Sequence, residues 1–128
     1  MDTKKIGNLG EKIAENYLKK KGYKILEKNY EFRTFEGPQK GEIDIIAKRK
    51  DTITFFEIKT LKQSQTENFL PEDKVDFFKQ RKIIKSAESW LIKNKISFNS
   101  KWQIDVIGII VDPREKKAKI RHFQNVVF

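Results

Sequence analysis

Apolar residues at Ile6, Leu9, Ile13 and Tyr17 recur at helical spacing and predict a first helix over residues 3–21. Asp2 or Thr3 would cap it, and Gly22 would stop it. Gly7, Gly10 and Ala14 lie on or beside that stripe. A mid-helix glycine costs about 1 kcal/mol relative to alanine, so two of them predict close packing on a sheet. The period then changes to two. Residues 23–32 read as a strand, and residues 33–40 as a polar loop broken at Gly37-Pro38. Residues 41–49 and 52–60 alternate around a tight turn at Lys50-Asp51, which predicts a hairpin. Residues 61–74 are polar and aperiodic, as expected of a long substrate-contacting loop. Asp76 is expected to cap a second helix running to about Lys95, with Phe77, Ile83, Ile84, Ala87, Trp90 and Leu91 on its buried face. An apolar strand at 101–111, a turn at Asp112–Glu115 and a last strand at 118–127 complete the chain. The predicted order is α-β-β-β-α-β-β in one domain spanning residues 1–128, with no internal repeat.

The hairpin carries the candidate chemistry. A symmetric turn at Lys50-Asp51 pairs position i with position 101 − i, setting Asp44 opposite Glu57 and Glu42 opposite Lys59. These four side chains would share one face, and Ile43, Ile45, Phe56 and Ile58 the other. Like charges directly opposed across strands are destabilising. A divalent cation would remove that penalty, since Mg²⁺ binds through one or two carboxylates plus water and substrate phosphate. Lys59 beside them would neutralise phosphate charge or help deprotonate an attacking water. The plain alternative is a solvent-exposed strand face of alternating charge. Two further polar residues fall on apolar helix stripes. Glu11 lies at the edge of the first, where a surface role among lysines competes with a reach over the sheet. Gln80 lies in the middle of the second, where an amide needs a partner. Asp105 interrupts an apolar strand and likewise needs pairing.

Charge sharpens this picture. The chain carries a net +10, divided as +4 over residues 1–40, −2 over 41–76 and +8 over 77–128. An acidic centre inside a basic protein suits a polyanion partner whose phosphates meet a cation at the centre. Lysine outnumbers arginine 23 to 5, so a lysine-rich soluble surface is the competing reading. Lys79, Lys82 and Lys93 are expected to form an outward basic stripe on the second helix that contacts nucleic acid. Without cysteine, disulfides, zinc fingers and thiol catalysis are excluded, and the single histidine, His122, argues against histidine-based metal sites. No apolar run reaches membrane-span length and no signal-peptide core is present, which predicts a cytoplasmic protein.

Asp44 followed by Glu57-Ile58-Lys59, on the second and third strands after an N-terminal helix, resembles the PD-(D/E)xK nuclease superfamily. More narrowly the chain resembles the YraN-like family of small proteins. That resemblance rests on Gly7-Asn8-Leu9-Gly10-Glu11, Ala14 with Tyr17-Leu18, Gly22-Tyr23, Asn29, Gly41-Glu42-Ile43-Asp44-Ile45-Ile46-Ala47, Phe56-Glu57-Ile58-Lys59-Thr60, Gln80 to Lys82, Trp90-Leu91 and Asp105-Val106. It implies an α/β fold with a restriction-endonuclease-like αβββαβ core, a central mixed sheet flanked by helices, plus a C-terminal strand. It implies Asp44 and Glu57 as ligands of Mg²⁺ or Mn²⁺ and Lys59 as the phosphate or water partner, with Glu11 and Gln80 completing a catalytic set. Ile43 stands where the superfamily has its eponymous proline, and the loop of residues 31–40 is longer than usual. The function so implied is a metal-dependent endonuclease acting on DNA, branched or processed forms included. The alternative is an inactive nucleic-acid-binding or adaptor protein that keeps the fold. DNA is the expected partner, a homodimer is left open, and no membrane partner is expected.

Overall fold

The computed structural model describes residues 3–33, 40–65 and 77–126, and side chains for most of them. Helix α1 spans Thr3–Lys20, strands β1 Lys24–Arg33, β2 Lys40–Arg49 and β3 Thr52–Lys62, helix α2 Phe77–Lys93, and strands β4 Trp102–Asp112 and β5 Lys117–Phe123. A short 3₁₀ turn, Gln63–Gln65, follows β3. The five strands form one sheet in sequence order. β3 and β4 are parallel, and every other neighbouring pair is antiparallel. The αβββαβ order with a C-terminal strand is therefore the architecture of the chain. The expected caps at Asp2 and Asp76, the loop at 34–39 and the greater part of 61–74 lie outside the described residues.

Each sheet face buries one helix. Ile83, Ala87, Trp90 and Leu91 of α2 pack with Ile43, Ile46, Ile53, Phe55 and Ile104. Ala14 and Leu18 of α1 pack with Ile45, Phe56, Ile58, Ile107 and Ile109 on the other face. β4 is buried from Ile104 to Val111 because helices cover both of its sides.

The buried line of α1 runs Ile6, Gly10, Ala14, Leu18, while Leu9, Ile13 and Tyr17 are only half-buried. This shifts the expected stripe, and the cause is size. A side chain at Gly10 would collide with Thr60, so the helix rests on β3 where it has least bulk. Gly7 faces open space and takes no part in this packing. Gly41 does the same for α2, lying against Ser86 and the Lys82 carbonyl. The helix stops follow their expected chemistry. Gly22, at φ +92, ends α1 with Tyr23 N–H donating to the Leu18 carbonyl and Gly22 N–H to that of Lys19. α2 ends in the same pattern, with Lys95 rather than glycine holding the left-handed position at φ +57.

The hairpin forms around Lys50-Asp51 with the expected register, from Arg49–Thr52 to Ile45–Phe56, and the pairing stops there. Beyond that point β2 pairs only with β1, as far as Arg33–Lys40, and β3 only with β4, as far as Lys62–Val111. The sheet forks. Asp44–Glu57 and Glu42–Lys59 are consequently not ladder partners, which corrects the direct opposition expected from the register. The expected sharing of a face by Ile43 and Ile45 also fails, because Ile43 packs under α2 and Ile45 under α1. The alternation breaks at Asp44, across from Asn29, whose φ is +55. Asparagine tolerates that conformation better than most residues.

Candidate active site in the sheet fork

Where the ladder opens, the Asp44 side chain replaces a backbone acceptor. Its Oδ2 accepts the Ile58 N–H at 2.7 Å. This bond explains why an aspartate can stand at the fork, since the orphaned amide of a central strand gains a carboxyl oxygen as its acceptor. It also holds the carboxylate across the gap, so that Asp44 lines a cavity on each side of it.

The larger cavity, about 280 Å³, is walled by Gly41, Glu42, Asp44, Glu57, Lys59 and Lys82 among others. Glu57 and Lys59 reach it by strand alternation, since Phe56 and Ile58 between them are committed to the α1 core. Glu57 is buried, and its Oε1 lies 3.1 Å from Lys59 Nζ. The smaller cavity, about 150 Å³, brings Asp44 together with Glu11 and Lys12 of α1 and Lys28 and Asn29 of β1. Gly10 makes this possible, because the contact with Thr60 draws the adjacent Glu11 against the sheet.

Electrostatics ties the two cavities together. Burial, then the Glu57 carboxylate, push the Asp44 carboxyl up to about 8; the Ile58 N–H pulls against this, while Glu11 and Glu42 add to it. Glu11 is also raised, first by burial, then by Glu42, with Lys28 opposing and Glu57 adding to the rise. Four carboxylates thus repel one another within one fork, and a cation would relieve that repulsion.

The residues present fit a hard divalent cation. Asp44 Oδ2 and Glu57 Oε1 are occupied by Ile58 and Lys59, and no other hydrogen bond to either carboxylate is made among the described residues. Each therefore keeps an oxygen for a cation. No group of three acidic or histidine side chains converges into a cage among the described residues. A pair is the number expected where water and substrate phosphate complete the coordination shell.

The other expected residues divide. Lys82 is exposed and also lines the larger cavity. Lys93 is exposed, with Nζ 5.8 Å from the Tyr30 ring centre. Lys79 and Gln80 fall in the first turn of α2, and their side chains lie outside the described residues. Asp105, fully buried, is satisfied by His122 Nε2 at 2.7 Å, Gln103 Nε2 at 2.8 Å and the Asn125 N–H at 2.9 Å. Tyr17 OH lies 3.0 Å from His122 Nδ1, so this network fastens α1 to β4 and β5. Lys28 was not singled out in the sequence, and Asn29 entered only through the family resemblance, without a role in the site. The available signal was an asparagine inside an apolar-alternating strand, a residue type that favours turns and left-handed backbone.

Comparison with known proteins finds relatives over nearly the whole chain. The family model described as "Uncharacterised protein family UPF0102" matches residues 10–109, which include Glu11, Asp44, Glu57, Lys59 and Gln80. A UPF0102 protein of Alkaliphilus oremlandii is 42% identical over 123 residues, covering 96% of this chain and 97% of the relative. One from Caldanaerobacter subterraneus subsp. tengcongensis is 39% identical over 127 residues, covering 98% and 96%. A third, from Fervidobacterium nodosum, is 46% identical over 127 residues, covering 97% of this chain and 83% of the relative.

Proposed function

The chain belongs to the UPF0102 family, and from the geometry of the fork we propose that it is a Mg²⁺- or Mn²⁺-dependent endonuclease acting on DNA. The observation that carries this reading is the shared cavity of Asp44, Glu57 and Lys59 at the point where β2 and β3 part. Asp44 and Glu57 would hold the cation. When bound, such an ion supplies Lewis acidity toward a phosphoryl oxygen and lowers the pKa of a coordinated water. Lys59, held at Glu57, is placed to meet a phosphate oxygen that enters the same cavity. Ile58 fixes Asp44 through its N–H, so the carboxylate does not have to reorganise when substrate arrives. Lys82, which also lines the cavity, would add positive charge where a DNA backbone passes. Gln80, from its place in the apolar stripe of α2, is kept as a further member of the proposed set.

Metal binding comes first in the test. Calorimetric titration with Mn²⁺ should show saturable binding to wild type and its loss in Asp44→Ala. Cleavage is then assayed on single-stranded, duplex and branched DNA with metal added, and Lys59→Ala should abolish any cut made by wild type. Absence of saturable binding, or equal binding by both proteins, would favour a non-cleaving nucleic-acid-binding protein built on the same fold.

A further inference from the structure

At the opposite end of the hairpin, next to the Lys50-Asp51 turn, lies a separate cavity of about 160 Å³. Tyr23, Arg49, Lys50, Asp51, Thr54 and Gln103 are among the residues that line it. Arg49 is five residues along β2 from Asp44, about 17 Å at the usual rise of roughly 3.3 Å per residue. The two sites are therefore distinct.

Several features of this cavity ask for an anion. Thr54 is 2% exposed and Tyr23 6%, yet neither hydroxyl has a hydrogen-bond partner among the described residues. A buried hydroxyl left unpaired is costly, and valine would fill the Thr54 position in a central strand without that cost. Arg49 is held in place. Its guanidinium sits 4.4 Å from the Tyr23 ring centre, and Nη1 donates to the Lys21 carbonyl at 3.3 Å. It has no carboxylate partner among the described residues. Asp51, the acidic residue of the lining, is engaged by Lys101 Nζ at 3.0 Å and by the Thr52 hydroxyl at 3.3 Å. At the same end of the sheet, Lys24 and Lys48 stand directly opposite each other across β1 and β2. A like-charged pair is unfavourable unless an anion is near.

We propose that this cavity is an oxyanion site for a phosphate group, bound by the Arg49 guanidinium and the Lys50 ammonium and completed by the Thr54 and Tyr23 hydroxyls. A guanidinium fork and hydroxyl donors converging on one small polar space match the several acceptor oxygens of phosphate. The phosphate comes either as the free anion or within a nucleic-acid backbone. Neither source depends on the chemistry of the fork.

Amide chemical shifts of the full-length protein test the site, at constant ionic strength. One arm titrates inorganic phosphate against a chloride control, and the other titrates a short DNA oligonucleotide. Saturable shifts at Tyr23, Lys50, Thr54 and Gln103 are expected in at least one arm. A response to inorganic phosphate identifies the free anion as sufficient; a response to the oligonucleotide alone identifies the phosphodiester backbone. Arg49→Gln should weaken that response about tenfold, as loss of one charged hydrogen bond implies. Thr54→Val, which keeps the side-chain shape, should weaken it severalfold without lowering the melting temperature, and Asp44→Asn should leave it intact. Silence at these amides in both arms would overturn the proposal. So would a response that survives unchanged in Arg49→Gln and Thr54→Val, or one that vanishes in Asp44→Asn.

Discussion

Asp44 is where structural and chemical demands meet in one residue. Its Oδ2 substitutes for a strand carbonyl by accepting the Ile58 N–H, and its carboxyl is raised to about 8 by burial and by Glu57. An unfolded aspartate ionises near about 3.9. Below that pH both states hold the proton and no penalty arises. Between about 4 and about 8 the unfolded chain has released the proton that the native protein keeps, so native stability falls as pH rises through that window. Asp44→Asn keeps an acceptor for Ile58 and removes the titration. Without metal, the variant should melt above wild type near pH 8 and level with it near pH 4. A melting difference of the same size at both pH values would refute this account of the site. Gln80 supports a second prediction, from its place in an apolar stripe. If it serves the cavity, Gln80→Leu should hold or raise the melting temperature while weakening Mn²⁺ or DNA binding. Lower stability with unchanged Mn²⁺ affinity would assign it to packing instead.

Close approach by small residues sets the elements around the fork. Replacing a mid-helix glycine by alanine ordinarily gains about 1 kcal/mol of helix stability. At Gly10 the new methyl would collide with Thr60, and overpacking of that kind costs about 1–3 kcal/mol. The second effect wins. Gly10→Ala should therefore destabilise the protein by urea denaturation, and Thr60→Ala should recover part of the loss. Additive losses in the double mutant would show that the two residues do not meet. The end of α2 predicts the opposite sign. Lys95 holds φ +57 where glycine carries no steric penalty, so Lys95→Gly should stabilise by up to about 1 kcal/mol. Much of this level was legible in advance. Gly22 announced a helix stop, and Lys50-Asp51 announced the turn that fixes the hairpin register. The true seam of α1 was not legible, because periodicity favours large apolar side chains, and the helix in fact rests on Gly10 and Ala14.

For the whole molecule, a basic exterior surrounds an acidic fork. The chain carries +10 overall, and no described helix is long and apolar enough to cross a membrane. If DNA is the partner, log K should fall linearly with log salt. Replacing Lys79, Lys82 and Lys93 together by alanine should lower that slope by roughly 2–3 if all three meet duplex phosphates. Lys82 lines the cavity and Lys93 does not, so Lys82→Ala alone should cost more affinity than Lys93→Ala. Equal effects in fluorescence anisotropy titrations would return Lys82 to the solvated surface.

By itself the sequence determined the order of elements, the hairpin register near the turn and the grouping of Glu42, Asp44, Glu57 and Lys59, which share the larger cavity. These follow from period, turn chemistry and charge, which act over a few residues. Only the tertiary structure decided that the ladder opens at Asp44, that Ile43 and Ile45 part to opposite faces, and that Glu11 is drawn to the sheet. Each depends on contacts between distant segments: Asp44 with Ile58 across the fork, Gly10 with Thr60, and Gly41 with Ser86. An alternating strand pattern carries no mark of where its neighbour will leave it. The departure occurs because one carboxylate takes a backbone amide, and that exchange exists only when the two strands are already side by side.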